Sequence, residues 1–262
     1  DCLFTQNSAN QNQHEAGVNK FGGAIAAHRG HVRILESTFE RNHALGGGGA
    51  IAMADHTPTP ITDVEDSTAY VLEIDNCFFS QNSFENLLST GGGCIHFSVL
   101  YSENPNAAFS LTNSQCIGCT FKGVGGSNAP GVAIFVDLNE YQTGAVLLSN
   151  LIVRESDTTP IGEVSSSNYP YFTSEVEIRL SPDAEVVCTI NSCQFLSPEQ
   201  RNEVQTQLFL GQSGTVDLTD SLGWINNEIV PLDEGMIQPG AVHTVFNSTF
   251  HDTEGNGLYL YR

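Results

Sequence analysis

Three sets of acids in this 262-residue chain stand close enough in sequence to suggest chemistry on a sugar chain: Asp63, Glu65 and Asp66; Asp217 with Asp220; and Asp233 with Glu234. Paired carboxylates cleave a glycosidic bond when one is held protonated and the other ionised. A lyase adds Ca²⁺ and a basic residue that takes up a proton or holds an acidic sugar. Such chemistry needs convergence, and these acids are spread along the chain. No Lys or Arg occurs between Arg41 and Lys122, so a uronate-binding groove in that stretch would lack its basic partner. Short acidic runs are ordinarily solvated loop charges, and these are read as such.

His28 and His31, with His14 and His43 nearby in sequence, suggest a metal site only until strand geometry is applied. Positions three apart on a strand point to opposite faces, so exposed or stacking histidines are expected. Cys116-x-x-Cys119 has the spacing of half a zinc site, but no second half follows. Seven cysteines cannot all pair within one chain. Cys2, Cys77 and Cys193 share a repeat position with Ser37, Ser114 and Ser248, which predicts a column of small buried side chains. Disulfides between near neighbours, Cys116 with Cys119 or Cys188 with Cys193, stay open. No loop has EF-hand or nonapeptide spacing, so no cofactor is implied, and Ca²⁺ enters only as adventitious binding to oxygen-rich acidic loops.

The elements that must position these residues are repeats. A short polar-then-aromatic word recurs at Asp1-Cys2-Leu3-Phe4, Glu36-Ser37-Thr38-Phe39, Asn76-Cys77-Phe78-Phe79, Asn113-Ser114-Gln115-Cys116, Asn150-Leu151-Ile152-Val153, Ser192-Cys193-Gln194-Phe195, Asp220-Ser221-Leu222-Gly223 and Asn247-Ser248-Thr249-Phe250. Spacings of 35, 40, 37, 37, 42, 28 and 27 residues are those of stacked supersecondary units. A second word interleaves: Gly22-Gly23-Ala24-Ile25, Gly48-Gly49-Ala50-Ile51 and Gly92-Gly93-Cys94-Ile95, with weaker echoes at Gly131-Val132-Ala133-Ile134 and Gly257-Leu258. Paired glycines suit a corner where the backbone turns sharply. Alternating runs such as Val71-Leu72-Glu73-Ile74 precede the aromatic words and read as strands with one buried face.

Together these predict an all-β fold, a single right-handed parallel β-helix domain over residues 1–262 with about eight coils and loops projecting from its corners. Like residues then stack about 4.8 Å apart. Phe4, Phe39, Phe79, Cys116, Val153, Phe195 and Phe250 would form an inward column, and Asn76, Asn113, Asn150 and Asn247 an amide ladder. The chain begins and ends inside a repeat word, so a longer solenoid or an end-to-end filament is expected.

A formal charge of −21 repels phosphate backbones and anionic headgroups, making nucleic acid an improbable partner. No run approaches the roughly 20 apolar residues of a membrane span, so direct insertion by this segment is not expected. Asn247-Ser248-Thr249 is a glycosylation sequon, and Asn191-Ser192-Cys193 a weaker one.

The paired words Gly-Gly-Ala-Ile and Phe-x-x-Asn, the latter at Phe4 to Asn7, Phe39 to Asn42 and Phe79 to Asn82, resemble the repeats of the chlamydial polymorphic membrane proteins and related surface proteins. The match is strongest at Ser37 to Ala44 followed by Gly48 to Ile51, and it extends to about residue 97. The resemblance implies a β-helical adhesin; with repeats that cover the chain and no convergent catalytic cluster, the expectation is a non-enzymatic adhesive or structural rod, extracellular or at the cell surface. Its expected partners are a protein or glycan receptor, or neighbouring copies. The competing expectation is a polysaccharide lyase or glycoside hydrolase on the same fold.

Overall fold

The computed structural model describes residues 1–9, 21–28, 30–55, 70–86, 91–99, 106–124, 131–138, 143–161, 174–180, 185–196, 206–211, 215–217, 224–225, 228–229, 242–246, 249–251 and 256–261. Four parallel sheets are built from strands distant in sequence, three of seven strands and one of five; a separate antiparallel pair joins Trp224–Ile225 to Glu228–Ile229. The second coil shows the path: Thr38–Glu40 carries the aromatic word, His43–Ala44 follows Asn42 of the Phe-x-x-Asn word, Ile51–Asp55 follows the glycine pair, and Tyr70–Asp75 is the alternating run. The next coil lies directly on it at Phe78–Ser80, Ser83–Asn86, Ile95–Val99 and Asn106–Thr112. Coils are counted below by their aromatic words, from Leu3–Thr5 upward. Among the described residues no helix is long and apolar enough to cross a membrane.

Register confirms the predicted column. Phe4 pairs with Phe39, Phe39 with Phe79, Phe79 with Cys116, Cys116 with Val153, Val153 with Phe195, and Phe195 with Phe250. The rings of Phe4 and Phe39 lie 4.7 Å apart and 3° from parallel, and those of Phe39 and Phe79 4.9 Å apart and 8° from parallel. That separation is the coil spacing itself, so aromatic stacking and backbone hydrogen bonding are satisfied by one geometry. The main core also takes in Ile51, Ile95 and Ile134 from the glycine-word sheet and Leu72, Phe109 and Ile190 from the alternating sheet. Phe84, Phe121 and Val132 form a smaller second cluster.

One residue turns each of two corners. Glu36, Asn76, Asn113, Asn150 and Ser192 have φ between 48° and 54°, and Gln6, Arg41, Gln81 and Glu155 between 54° and 59°. A left-handed conformation costs a non-glycine residue about 1–2 kcal/mol, least for asparagine, which explains Asn at three of the first set. The third corner uses glycine. Gly48 has φ +64°, and a Cβ on Gly49 would fall on the carbonyl oxygens of Gly93 and Ser83.

The aromatic sheet has seven strands against eight words in the sequence. Gln194 pairs directly with Thr249, so the chain between them makes one step of that sheet. The word Asp220 to Gly223 lies outside the described residues. Stacking order and chain order also part here, because Val242–Phe246 sits between Glu185–Asn191 and Thr215–Asp217.

Candidate functional site: side-chain ladders inside the stack and an ion cluster outside it

The Phe-x-x-Asn asparagines form the buried ladder. Asn42 and Asn82 are fully buried, held one residue past the left-handed corner set by Arg41 and Gln81. Asn42 N and Nδ2 both donate to Asn82 Oδ1 at 3.0 Å, and Asn7 N and Nδ2 donate to Asn42 Oδ1 at 3.0 and 2.8 Å. In the reverse direction Asn42 Nδ2 reaches Phe4 O at 3.1 Å and Asn82 Nδ2 reaches Phe39 O at 3.0 Å. Asn42 therefore binds the coils on both sides and Asn82 the coil below it, satisfying buried main-chain groups at a corner where sheet bonds lapse.

A second ladder runs through the Ser/Cys position. Ser37, Cys77, Ser114 and Cys193 are buried as expected, while Cys2 is exposed in the first coil. Ser37 N donates to Cys77 Sγ at 3.4 Å, and Cys77 N to Ser114 Oγ at 3.0 Å. Ser37 and Ser114 return a bond to the carbonyls of Leu35 and Thr112, each at 2.7 Å. Burial raises the pKa of the Cys77 thiol, pushes Cys193 up to about 11 and raises that of Cys188 further. These thiols are poor nucleophiles and serve as packing and weak hydrogen-bond groups.

Of the amide ladder expected at Asn76, Asn113 and Asn150, the Asn113–Asn150 step exists, on the outside, and it continues to Asp75 rather than to Asn76. All three are exposed; Asn150 Nδ2 donates to Asn113 Oδ1 at 2.9 Å, and Asn113 Nδ2 to Asp75 Oδ1 at 2.8 Å. Thr112 and Asn113 donating to Asp75 hold that carboxyl below the usual range. Asn247 lies outside the described residues. In the weaker sequon, Ser192 Oγ donates to Asn191 Oδ1 at 2.8 Å.

Both neighbour-pair disulfides give way to another. Cys119 is bonded to Cys94, with Cα atoms 6.1 Å apart, while Cys116, Cys188 and Cys193 remain thiols. Cys116 points into the aromatic column and Cys119 takes the ladder position, since Ser83 pairs with Thr120 and so Asn82 precedes Cys119 in the same column. The corner at Gly118 separates the two side chains, with φ +63°.

Of the remaining candidates, His28 and His31 are exposed, and His31 Nε2 lies 3.3 Å from Glu73. His43 Nδ1 shares a hydrogen bond with Ser83 Oγ at 3.0 Å. His14, Asp63, Glu65, Asp66, Asp220, Asp233 and Glu234 lie outside the described residues, and Asp217 ends the strand Thr215–Asp217. Among the described residues no three His, Cys, Asp or Glu side chains are grouped to hold a metal ion.

A cluster unforeseen from sequence lies on the outer face of the glycine-word sheet. His96 pairs with Phe135 and Phe135 with Glu177; Ser98 pairs with Asp137 and Asp137 with Arg179. His96, Phe135 and Glu177 are nonetheless buried. His96 Nδ1 donates to Gly91 O at 2.9 Å, and its ring lies 5.1 Å from Phe21 and 5.3 Å from Phe135. Arg179 sits over Phe135 at 5.1 Å and donates to Glu177 Oε1 at 2.6 Å. Burial pushes Asp137 up to about 6, against the pull of Arg179 and with a further push from Glu177. The Arg179–Glu177 ion pair lies within one strand, and it is the guanidinium over Phe135 that ties the fourth coil to the fifth. The run Val176-Glu177-Ile178-Arg179-Leu180 carried the signal, because period two places Glu177 and Arg179 on one face.

Searches of curated proteins and of solved structures returned no match. The match to a family model falls where both words are intact, over residues 1–28 and 36–53. The N-terminal coils of this stack are therefore similar to the Chlamydia polymorphic membrane protein repeat.

Proposed function

We propose that this chain is an extracellular or cell-surface rod whose coils form a scaffold and whose corner loops engage a protein or glycan receptor or neighbouring copies. The observation that carries this reading is the unbroken register from Phe4 to Phe250. A column kept in step over seven strands makes an elongated support with its variable segments at the corners. The repeats matched at residues 1–53 belong to a family named for membrane proteins, which supports a surface location. Binding of labelled chain to receptor-bearing cells and to a glycan array tests the adhesive role, and sedimentation tests assembly. Absence of saturable binding together with a monomer at all concentrations would defeat this reading.

A carbohydrate-active enzyme is the second reading, favoured by Asp137 and Glu177 beside Arg179 on an outer sheet face. Release of reducing ends or unsaturated uronates from a polysaccharide panel, lost in Asp137→Asn, would replace the rod with the enzyme.

A further inference from the structure

We propose that the Cys94–Cys119 disulfide takes over, between the third and fourth coils, the tying role that asparagine amides play between the coils before them, and makes that junction a redox-dependent seam.

The amide column runs Asn7, Asn42, Asn82 and then meets Cys119. The partner sulfur departs from its own pattern as well: Cys94 stands where Ala24, Ala50 and Ala133 stand in the neighbouring glycine words. Two departures from two separate words thus coincide in one covalent bond. The last amide abuts it, with Asn82 Nδ2 3.9 Å from Cys94 Sγ. One coil further on, Ser156 takes the column position, and its buried hydroxyl has no hydrogen-bond partner among the described residues. The polar ladder ends at the sulfur pair.

Cys94 belongs to the third coil and Cys119 to the fourth, so their bond crosses the third-to-fourth interface as the Asn42 and Asn82 amides cross the second-to-third one below it. A thiol at position 119 would be a weak donor and a weak acceptor, and would replace an amide able to accept two bonds and donate two. Reduction therefore leaves this junction with less than either alternative. Both cysteines are fully buried, so the bond closes only on stacked coils and yields only when they part. The exchange balances with a small-molecule thiol as reductant. One thiolate attacks a sulfur to give a mixed disulfide, and the displaced sulfur leaves as thiolate and takes a proton. A second thiol then releases the first as a small-molecule disulfide, so that the protein gains two electrons and two protons. Persistence of the bond requires an oxidising compartment.

Alkylation of the unfolded, unreduced protein should modify five of the seven cysteines and leave a peptide linking Cys94 to Cys119. Reductant should lower the thermal midpoint of the wild type by roughly 5–15 °C. In Cys94→Ala/Cys119→Asn the introduced amide oxygen faces Asn82 N and Nδ2, continuing the ladder. That variant should lose its response to reductant and melt above the reduced wild type, whereas Cys94→Ala/Cys119→Ala should melt at or below it. Seven alkylated cysteines without reduction, or an Asn variant no more stable than the Ala variant, would overturn the proposal. Either result leaves the receptor-binding reading intact, because that reading rests on register and not on sulfur.

Discussion

Asn82 offers the sharpest test of the ladder. Its amide makes three bonds at 3.0 Å: it donates to Phe39 O and accepts from Asn42 N and Asn42 Nδ2. Asn82→Ala takes a partner from all three groups in a fully buried site, Asn42 Nδ2 keeping only Phe4 O, and each orphaned donor or acceptor costs about 1–3 kcal/mol. The expected loss is about 3–6 kcal/mol, a large share of the roughly 5–15 kcal/mol that holds an ordinary domain together. Asn7→Ala should cost under about 1 kcal/mol, because Asn7 is exposed. Asn82→Asp separates chemistry from shape. One carboxylate oxygen keeps both accepted bonds, but the other now meets Phe39 O, acceptor against acceptor at 3.0 Å. The variant regains its donor only when protonated, so its folded pKa must exceed the unfolded value. The sign follows: its deficit is full above the raised folded pKa and shrinks as pH falls towards the unfolded value near 4. Urea unfolding of wild type, Asn82→Ala and Asn82→Asp at pH 7 and pH 5 reads these differences. An Asp variant as stable as wild type at pH 7, or a deficit independent of pH, would refute the ladder.

Phe79→Ala should cost about 3–5 kcal/mol, since Phe79 is fully buried within the column, whereas Phe78→Ala, 39% exposed on the opposite face, should change stability by less than about 1 kcal/mol; equal effects would mean the register is wrong by one residue. Gly49→Ala places its methyl on the main chain of Gly93 and Ser83, where no side chain can give way, so a loss of about 3 kcal/mol or more in denaturant melts is expected. Asp137 is pushed up to about 6 by burial, so its ionisation costs stability as pH rises from about 4 to above 6. Over that window Asp137→Asn should gain on wild type by about 3 kcal/mol, and parallel pH–stability curves for the two proteins would contradict the burial of that carboxyl.

The column from Phe4 to Phe250 was legible because parallel stacking maps one repeat position onto one spatial column. The two asparagine sets were harder to tell apart. Both recur at the coil period, and only a left-handed residue between strands decides which points inward. Asn76, Asn113 and Asn150 are those turn residues, whereas Asn42 and Asn82 follow the turns at Arg41 and Gln81. The disulfide was hidden because closeness along the chain misleads in a solenoid. Cys116 and Cys119 are three residues apart across a corner, while Cys94 and Cys119, 25 apart, are neighbours through stacking. The outer cluster was obscured by burial on both faces, since His96-Phe97-Ser98-Val99 is buried throughout and so loses the in–out signal.

The devices that fix register change along the stack while the apolar column does not. Amides join the first three coils, a disulfide joins the third to the fourth, and on the outer face Arg179 of the fifth coil lies over Phe135 of the fourth. Apolar contacts alone specify register weakly, because a slipped Phe still meets another hydrophobic surface. A slipped amide or carboxylate instead loses its partner in a buried site and is penalised for it. Each junction therefore needs one directional tie, but the fold does not require it to be the same tie. This accounts for a coil geometry that continues to Tyr261 past the last Phe-x-x-Asn word of the ladder, Phe79 to Asn82: that word contains the amide, and it fades where other chemistry takes the amide's place.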